Sequence, residues 1–286
     1  MICVSNLTAL DATPEEFIDG AAAGGFEGCG LRIFPPKHAP DQYPIAVNPK
    51  WTRELKKRAD DRGIRIWEAE SFGIDRDTDV DGMRFAIEAA AVLGAQWIVS
   101  GGIDDDESRL AANYAKLAEA AAGFGIGMAI EFMPSRPMRS LADALRVLGK
   151  VDHPNAKLLI DTLHLQRSGG TPEDAGRVDP AKLAYVQVCD AASVESPAMR
   201  SALIEESRSG RLYPGEGVLP LTRLYDLLPA DIPTSLEAPH AHHAHLPPTE
   251  RLKLAGAATV RFVEAMRAHH AARAPAAAAR FTGRAA

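Results

Sequence analysis

Eight short apolar runs, each followed by a helical pattern, constrain this chain more than any single motif. The runs begin at Ile2, Gly28, Ile64, Gln96, Gly127, Leu158, Tyr185 and Thr234, mostly about 30 residues apart. Apolar runs this short and this continuous fit strands covered on both faces, which is how parallel strands are buried. Helix signals fill the gaps. Thr13-Pro14-Glu15-Glu16 offers a cap, a proline at the first position and acids in the first turn. Asn48-Pro49 opens a helix through Asp61, a helix from Asp79 stops at Gly94, and Asp104-Asp105-Asp106-Glu107 places negative charge at a helix start. Further helices are expected near Ser140 to Gly149, Pro172 to Gly176, Pro220 to Leu228 and Thr249 to Ala268. Strand–helix alternation means parallel strands with crossover helices. Eight repeats predict an α/β fold, a single (β/α)8 barrel over 1–268, with 269–286 as an Ala/Arg-rich flexible tail. The competing doubly wound sheet lacks a GxGxxG after the first strand.

At 286 residues and a formal charge of −6, the chain has the size for one barrel and no excess of positive charge for nucleic acid. Cys3, Cys29 and Cys189 are far apart and form no CxxC, which fits reduced thiols. The N-terminal Met1 to Asn6 carries neither a basic leader nor a long apolar stretch, so the expectation is a cytoplasmic protein with no membrane contact. A homo-oligomer is left open.

The chemistry concentrates at the ends of the last four strands. Glu131 closes the run from Gly127, Asp161 closes Leu158-Leu159-Ile160, Gln187 lies inside Tyr185 to Cys189, and Glu237 closes Thr234-Ser235-Leu236. Parallel barrel strands bring their C-terminal ends to one mouth. Three carboxylates there need a compensating positive charge, and an all-oxygen set suits Mn2+ or Mg2+, with Co2+ a further option. Asp190 competes with Gln187 for the third position. His164, three residues beyond Asp161, is placed to lean over the site and move protons. Arg32 and Arg211 are candidates for holding a carboxylate, phosphate or polyol oxygen. Glu68 and Glu70 are expected on opposite faces of the third strand, so that only one enters the mouth, and Glu70 joins His240 among the substrate-binding candidates. His240 to His245 reads as a solvated loop rather than a metal site. Two connections are long, Cys189 to Gly217 and Phe34 to Pro49, the second holding Lys37, His38 and Tyr43; long loops on this face serve as lids or clamps. No P-loop, nucleophile elbow or HExxH is present.

With these residues in place, the sequence resembles the xylose isomerase-like TIM-barrel superfamily, the sugar phosphate isomerase/epimerase group, from Ile2 to about Met266. The carriers are Ala23 to Arg32, Glu131, Asp161-Thr162-Leu163-His164, Gln187-Val188-Cys189-Asp190, Pro214-Gly215-Glu216-Gly217 and Glu237. The resemblance implies one divalent ion held by Glu131, Asp161, Gln187 and Glu237, with Glu131 and Glu237 as the acid–base pair. The family carries histidine where this chain has Gln187, a departure that resembles the 3-dehydroshikimate dehydratases. The expected activity is a metal-dependent isomerase or epimerase that removes a proton next to the carbonyl of a sugar or polyol-like substrate. The alternative is a dehydratase-type lyase on a cyclic hydroxy-keto acid, using Arg32 and Arg211 for the carboxylate. A nuclease of the endonuclease IV branch would need a richer His/Asp/Glu set and a basic face, and a non-catalytic barrel would bind no stoichiometric metal.

Overall fold

A computed structural model describes residues 1–34 and 44–281. Eight parallel strands form a closed barrel in sequence order: β1 (Ile2–Val4), β2 (Gly28–Arg32), β3 (Arg65–Glu70), β4 (Trp97–Gly101), β5 (Gly127–Glu131), β6 (Ala156–Asp161), β7 (Leu183–Val188) and β8 (Thr234–Leu236). Closure is explicit in the β1–β8 pairing, where Ile2, Cys3 and Val4 register with Thr234, Ser235 and Leu236. Closing the sheet removes its edges, so every strand is paired on both sides.

The crossover helices begin where the capping chemistry places them. Helix α1 (Pro14–Ala23) starts at a capping box in which Thr13 and Glu16 satisfy each other's backbone N–H groups. Helices α2 (Pro49–Asp61), α3 (Arg84–Leu93) and α4 (Glu107–Ala122) follow, the last capped by Asp106. A second capping box, Ser140 with Asp143, opens α5 (Leu141–Val151). Helices α6 (Thr162–Arg167) and α7 (Pro172–Ala175) lie between β6 and β7. The connection read as one long loop contains α8 (Arg200–Ser209), which buries no residue fully; without an apolar stripe it left no helical signature in the sequence. Helix α9 (Leu221–Leu227) precedes β8, and α10 (Pro248–Phe281) closes the ring. There Gly256 packs directly on the Gly24 carbonyl, a contact that leaves no room for a side chain. Helix α10 continues past Ala268, where the sequence reading ended it, because alanine is the best helix former. Residues 282–286 lie outside the described residues, as do Lys37, His38 and Tyr43.

Two apolar clusters result. The larger lies between strands and helices. The smaller, built on Cys3, Trp67, Val99, Ala129, Leu159 and Tyr185, fills the barrel interior. The Trp67 and Tyr185 rings meet edge-on across it, centroids 5.8 Å apart. Among the described residues no helix is long and apolar enough to cross a membrane.

Candidate active site

A strand period of two puts the residue two positions beyond each interior side chain on the same face, nearer the C-terminal mouth. Ala129 is thus followed by Glu131, Leu159 by Asp161 and Tyr185 by Gln187. Ser235 is likewise followed by Glu237. A cavity of about 520 Å³ opens above them, lined among others by Glu70, Glu131, His164, Gln187, Arg211 and Glu237. All six are buried.

The charge balance differs from the one expected. Arg211, 1% exposed, reaches from the α8 segment into the carboxylate cluster. One terminal nitrogen lies 2.5 Å from Asp161 Oδ2 and donates to the Glu237 carbonyl at 3.0 Å; the other lies 2.9 Å from Glu237 Oε2. Its Nε donates to the Ser207 carbonyl at 2.8 Å. The arginine assigned to substrate is therefore committed to the protein's own acids and carbonyls. Asp161 lies behind it and does not line the cavity. Its other oxygen accepts the His164 backbone N–H at 2.8 Å and so caps α6. Although burial opposes it, the Arg211 charge holds Asp161 below the usual carboxylate range.

Glu131 has no arginine. Its nearest ionisable neighbour is His164, whose Nε2 lies 3.6 Å from Oε1. Burial, then the charges of Glu237 and Asp161, push Glu131 well above its usual value. Glu237 accepts from the Ser5 hydroxyl at 2.7 Å, and burial, offset in part by Arg211, raises it to about 7. Burial lowers His164 to about 4, so its imidazole is neutral at neutral pH.

Gln187 supplies the test of whether an ion fits. Its amide nitrogen donates to Glu68 Oε2 at 3.0 Å, while its Oε1 is buried with no hydrogen-bond partner. A buried amide oxygen without a donor is costly. Here it lies on the wall of the cavity that also holds Glu131 and Glu237. Ligand atoms of Glu131, Asp161 and His164 approach within 4.8 Å of one another. Oxygen donors, one unpartnered, together with more buried carboxylates than cations, suit a hard divalent ion. Asp190 is accounted for elsewhere: its carboxylate accepts the backbone N–H groups of Ala191, Leu219 and Gly215 and clamps the long loop.

Both Glu68 and Glu70 enter the barrel, against the expectation that only one would. Residues i and i+2 of a strand share a face, and Gly30 on β2 leaves the space their carboxylates occupy. Glu70 accepts from Asn6 N at 2.8 Å and the Ser5 hydroxyl at 3.1 Å. Its other oxygen lies 3.7 Å from Arg32 Nε. Arg32 lines the cavity with a guanidinium already facing that acid. His240 does not line the cavity. Its Nε2 faces Glu216 at 3.1 Å and its ring stacks on His243 at 4.2 Å, which places it under the long loop. Ser5, Arg136 and Arg208 belong to the site and were not singled out; Arg136 follows Glu131 by five residues, the one signal available.

A family profile described as xylose isomerase-like TIM barrel matches residues 18–261. The chain belongs to this family. A curated relative, the 3-dehydroshikimate dehydratase of Pseudomonas putida, is 25% identical over 222 residues, 73% of this chain and 33% of that enzyme. The chain thus spans about a third of that relative's length. Among solved structures, the zinc-bound IolI protein superposes with a TM-score of 0.77 at 17% identity, covering 93% of this chain and 98% of that one. The D-psicose 3-epimerase of Clostridium cellulolyticum H10, with D-tagatose, gives 0.70 at 14% identity, covering 93% and 99%. These two share the fold. A 3-dehydroshikimate dehydratase is thus a curated relative of this chain, and a D-psicose 3-epimerase shares its fold.

Proposed function

We propose that the chain is a divalent-metal-dependent lyase of the 3-dehydroshikimate dehydratase type. It would remove a proton next to a carbonyl and expel a hydroxyl one carbon further on. The observation that carries the metal half is the unpartnered Gln187 Oε1 beside three buried carboxylates. Glu131, Gln187 and Glu237, which line the cavity, would hold the ion, and Asp161 would join them only by giving up its bond to Arg211. Bound there, a divalent ion would draw on the carbonyl oxygen and acidify the neighbouring C–H. The elimination half is supported by Gln187 standing in the family's histidine position and by the dehydratase relative.

The residues divide the remaining work. Glu131 carries no arginine, so its carboxylate keeps the basicity that abstraction of a carbon-bound proton requires. Glu237 is pinned by Ser5 and Arg211, which fixes its orientation and moderates its charge. The His164 imidazole, 3.6 Å from Glu131, would receive the proton that Glu131 has taken from carbon and relay it to the departing hydroxyl, which leaves as water.

A second reading, a sugar or polyol epimerase, draws on one observation: Glu131 on β5 and Glu237 after β8 border the same cavity from different strands. Two carboxylates on opposite faces of a substrate carbon could remove a proton and return one. The deciding experiment incubates the Mn2+-loaded protein in D2O with ketoses, keto-inositols and 3-dehydroshikimate, followed by NMR. Elimination from 3-dehydroshikimate supports the lyase. Deuterium entering a ketose with inversion supports the epimerase. Absence of any α-exchange overturns both.

A further inference from the structure

Arg136, Arg200 and Arg208 converge on one side of the cavity mouth, and among the described residues none of them has a carboxylate within ion-pair distance. Arg136 lies in the loop after β5 and is half-buried; Arg208 lies in the last turn of α8. Both line the cavity. Their positions are set by other bonds. Arg200, at the start of α8, donates through Nε to the Ser135 carbonyl at 2.8 Å, which ties that helix to the Arg136 loop. Arg211 holds the Ser207 carbonyl at the other end of α8. Glu206, on α8 two residues before Arg208, is committed to Arg167 at 2.6 and 2.7 Å, and Glu131 acts on Arg136 only from beyond ion-pair distance. Burial, then the charges of Arg208 and Arg200, lower Arg136 from its usual value. Guanidiniums held close together, partly desolvated and without a direct ion-pair partner, are unfavourable unless an anion completes them. Arg32, on the β2 wall, already faces Glu70, and Arg211 is committed below.

The geometry points to Arg136 and Arg208 as the subsite for an anionic group of the substrate, a carboxylate or a phosphate, on the β5–β7 wall of the mouth. The planar forks of two guanidiniums match either oxyanion. The subsite rests on the proposed function only in taking this cavity as the substrate's. It places the anion beside Glu131, the carboxylate without a cation, and turns the substrate's reactive carbons towards the buried cluster.

The test is calorimetry on the full chain in EDTA, so that no metal contributes, with inorganic phosphate and shikimate as separate probes. Wild type is expected to bind at least one of them. Arg136→Gln with Arg208→Gln should weaken that binding about tenfold or more, and Arg32→Gln less than about threefold. Arg136→Lys with Arg208→Lys should restore part of the affinity, and thermal melting checks that the variants fold. Preference for phosphate or for shikimate names the group. Binding of neither probe by wild type overturns the subsite, as does undiminished binding by the double variant or a larger loss in Arg32→Gln. A parallel Mn2+ titration separates this from the activity. A wild type that takes no Mn2+ refutes the proposed function and leaves the anion result to stand by itself.

Discussion

Two successive layers inside the barrel are equally buried and chemically opposite. The lower layer holds Cys3, Ala129, Leu159 and Tyr185, packed into one apolar cluster. The upper layer, two residues further along the same strands, holds Ser5, Glu131, Asp161 and Gln187. Leu159 is 0% exposed and Asp161 1%, so burial does not distinguish them. What differs is what burial requires. The lower layer needs only volume that fits. The upper layer needs counter-charge and hydrogen-bond partners. Arg211 supplies them for Asp161 and Glu237, while Glu131 and the Gln187 Oε1 are left without. A fold keeps uncompensated groups in its interior where function requires them.

The largest effect expected from breaking the upper layer is on turnover. Glu131→Gln and Glu237→Gln should each lower kcat by about 10²-fold or more, since each removes a charged donor and a base candidate. A near-wild-type rate for either under saturating Mn2+ would remove that residue from the acid–base pair. Next comes stability. Arg211→Ala leaves Asp161 and Glu237 as unpaired buried acids and should cost about 3–5 kcal/mol by urea unfolding in EDTA. Added Mn2+ should recover part of it. Leu159→Ala, one layer down, should cost about 2–5 kcal/mol through its cavity alone, with the same increment whether Mn2+ is present or not. If Mn2+ rescued both variants equally, the layers would not differ as described. Gln187→Ala should leave folding nearly intact and weaken Mn2+ binding by about 1–3 kcal/mol. Gln187→His should shift preference towards Co2+ or Zn2+. Equal Mn2+ affinities for wild type and Gln187→Ala would exclude the amide as a ligand.

The barrel and the strand-end positions of Glu131, Asp161, Gln187 and Glu237 were legible because each depends on a local pattern. An apolar run that stops at an acid announces both a strand and the depth of its last residue. Arg211 was visible as a residue but not in its role. It reaches the cluster from a connection whose helix, α8, has no apolar stripe, and only packing reveals that its charge turns inward. Glu68 and Glu70 were misjudged as lying on opposite faces, where the period of two decides otherwise. His240 follows Glu237 by three residues, but the turn after β8 carries it under the long loop. Arg136 lies in the loop after β5 and Arg208 in the last turn of α8, and nothing linear joins them.

The smallest expected effect separates the layers by pH. In EDTA, the folded-state value of Glu237 is raised to about 7 from the ordinary 4.5, mainly by burial, and Glu131 and Glu68 shift in the same direction for the same first cause. A raised folded value means that the native state keeps protons which the unfolded chain releases. The stabilisation this brings is complete below about pH 4.5 and is lost as pH rises through 7. Asp161 and Asp104 shift the other way, Asp104 through its bonds to Arg109, so their contribution is lost only as pH falls below the ordinary carboxylate range. His164, lowered to about 4, and His240, also lowered, both chiefly by burial, oppose this slope up to about pH 6.5, where the unfolded chain binds their protons. The metal-free protein should therefore lose stability most steeply from pH 6.5 to 8, each group contributing at most about 1.4 kcal/mol per pH unit. Mn2+ should reverse that slope, because an ion competes with protons for the same carboxylates. Leu159→Ala should displace the whole profile without changing its slope, since the lower layer holds nothing that titrates in this range. Urea midpoints at pH 5, 6, 7 and 8, with EDTA and with Mn2+, decide it; a flat or rising profile in EDTA above about pH 6.5 would show that the buried glutamates are already compensated without a metal.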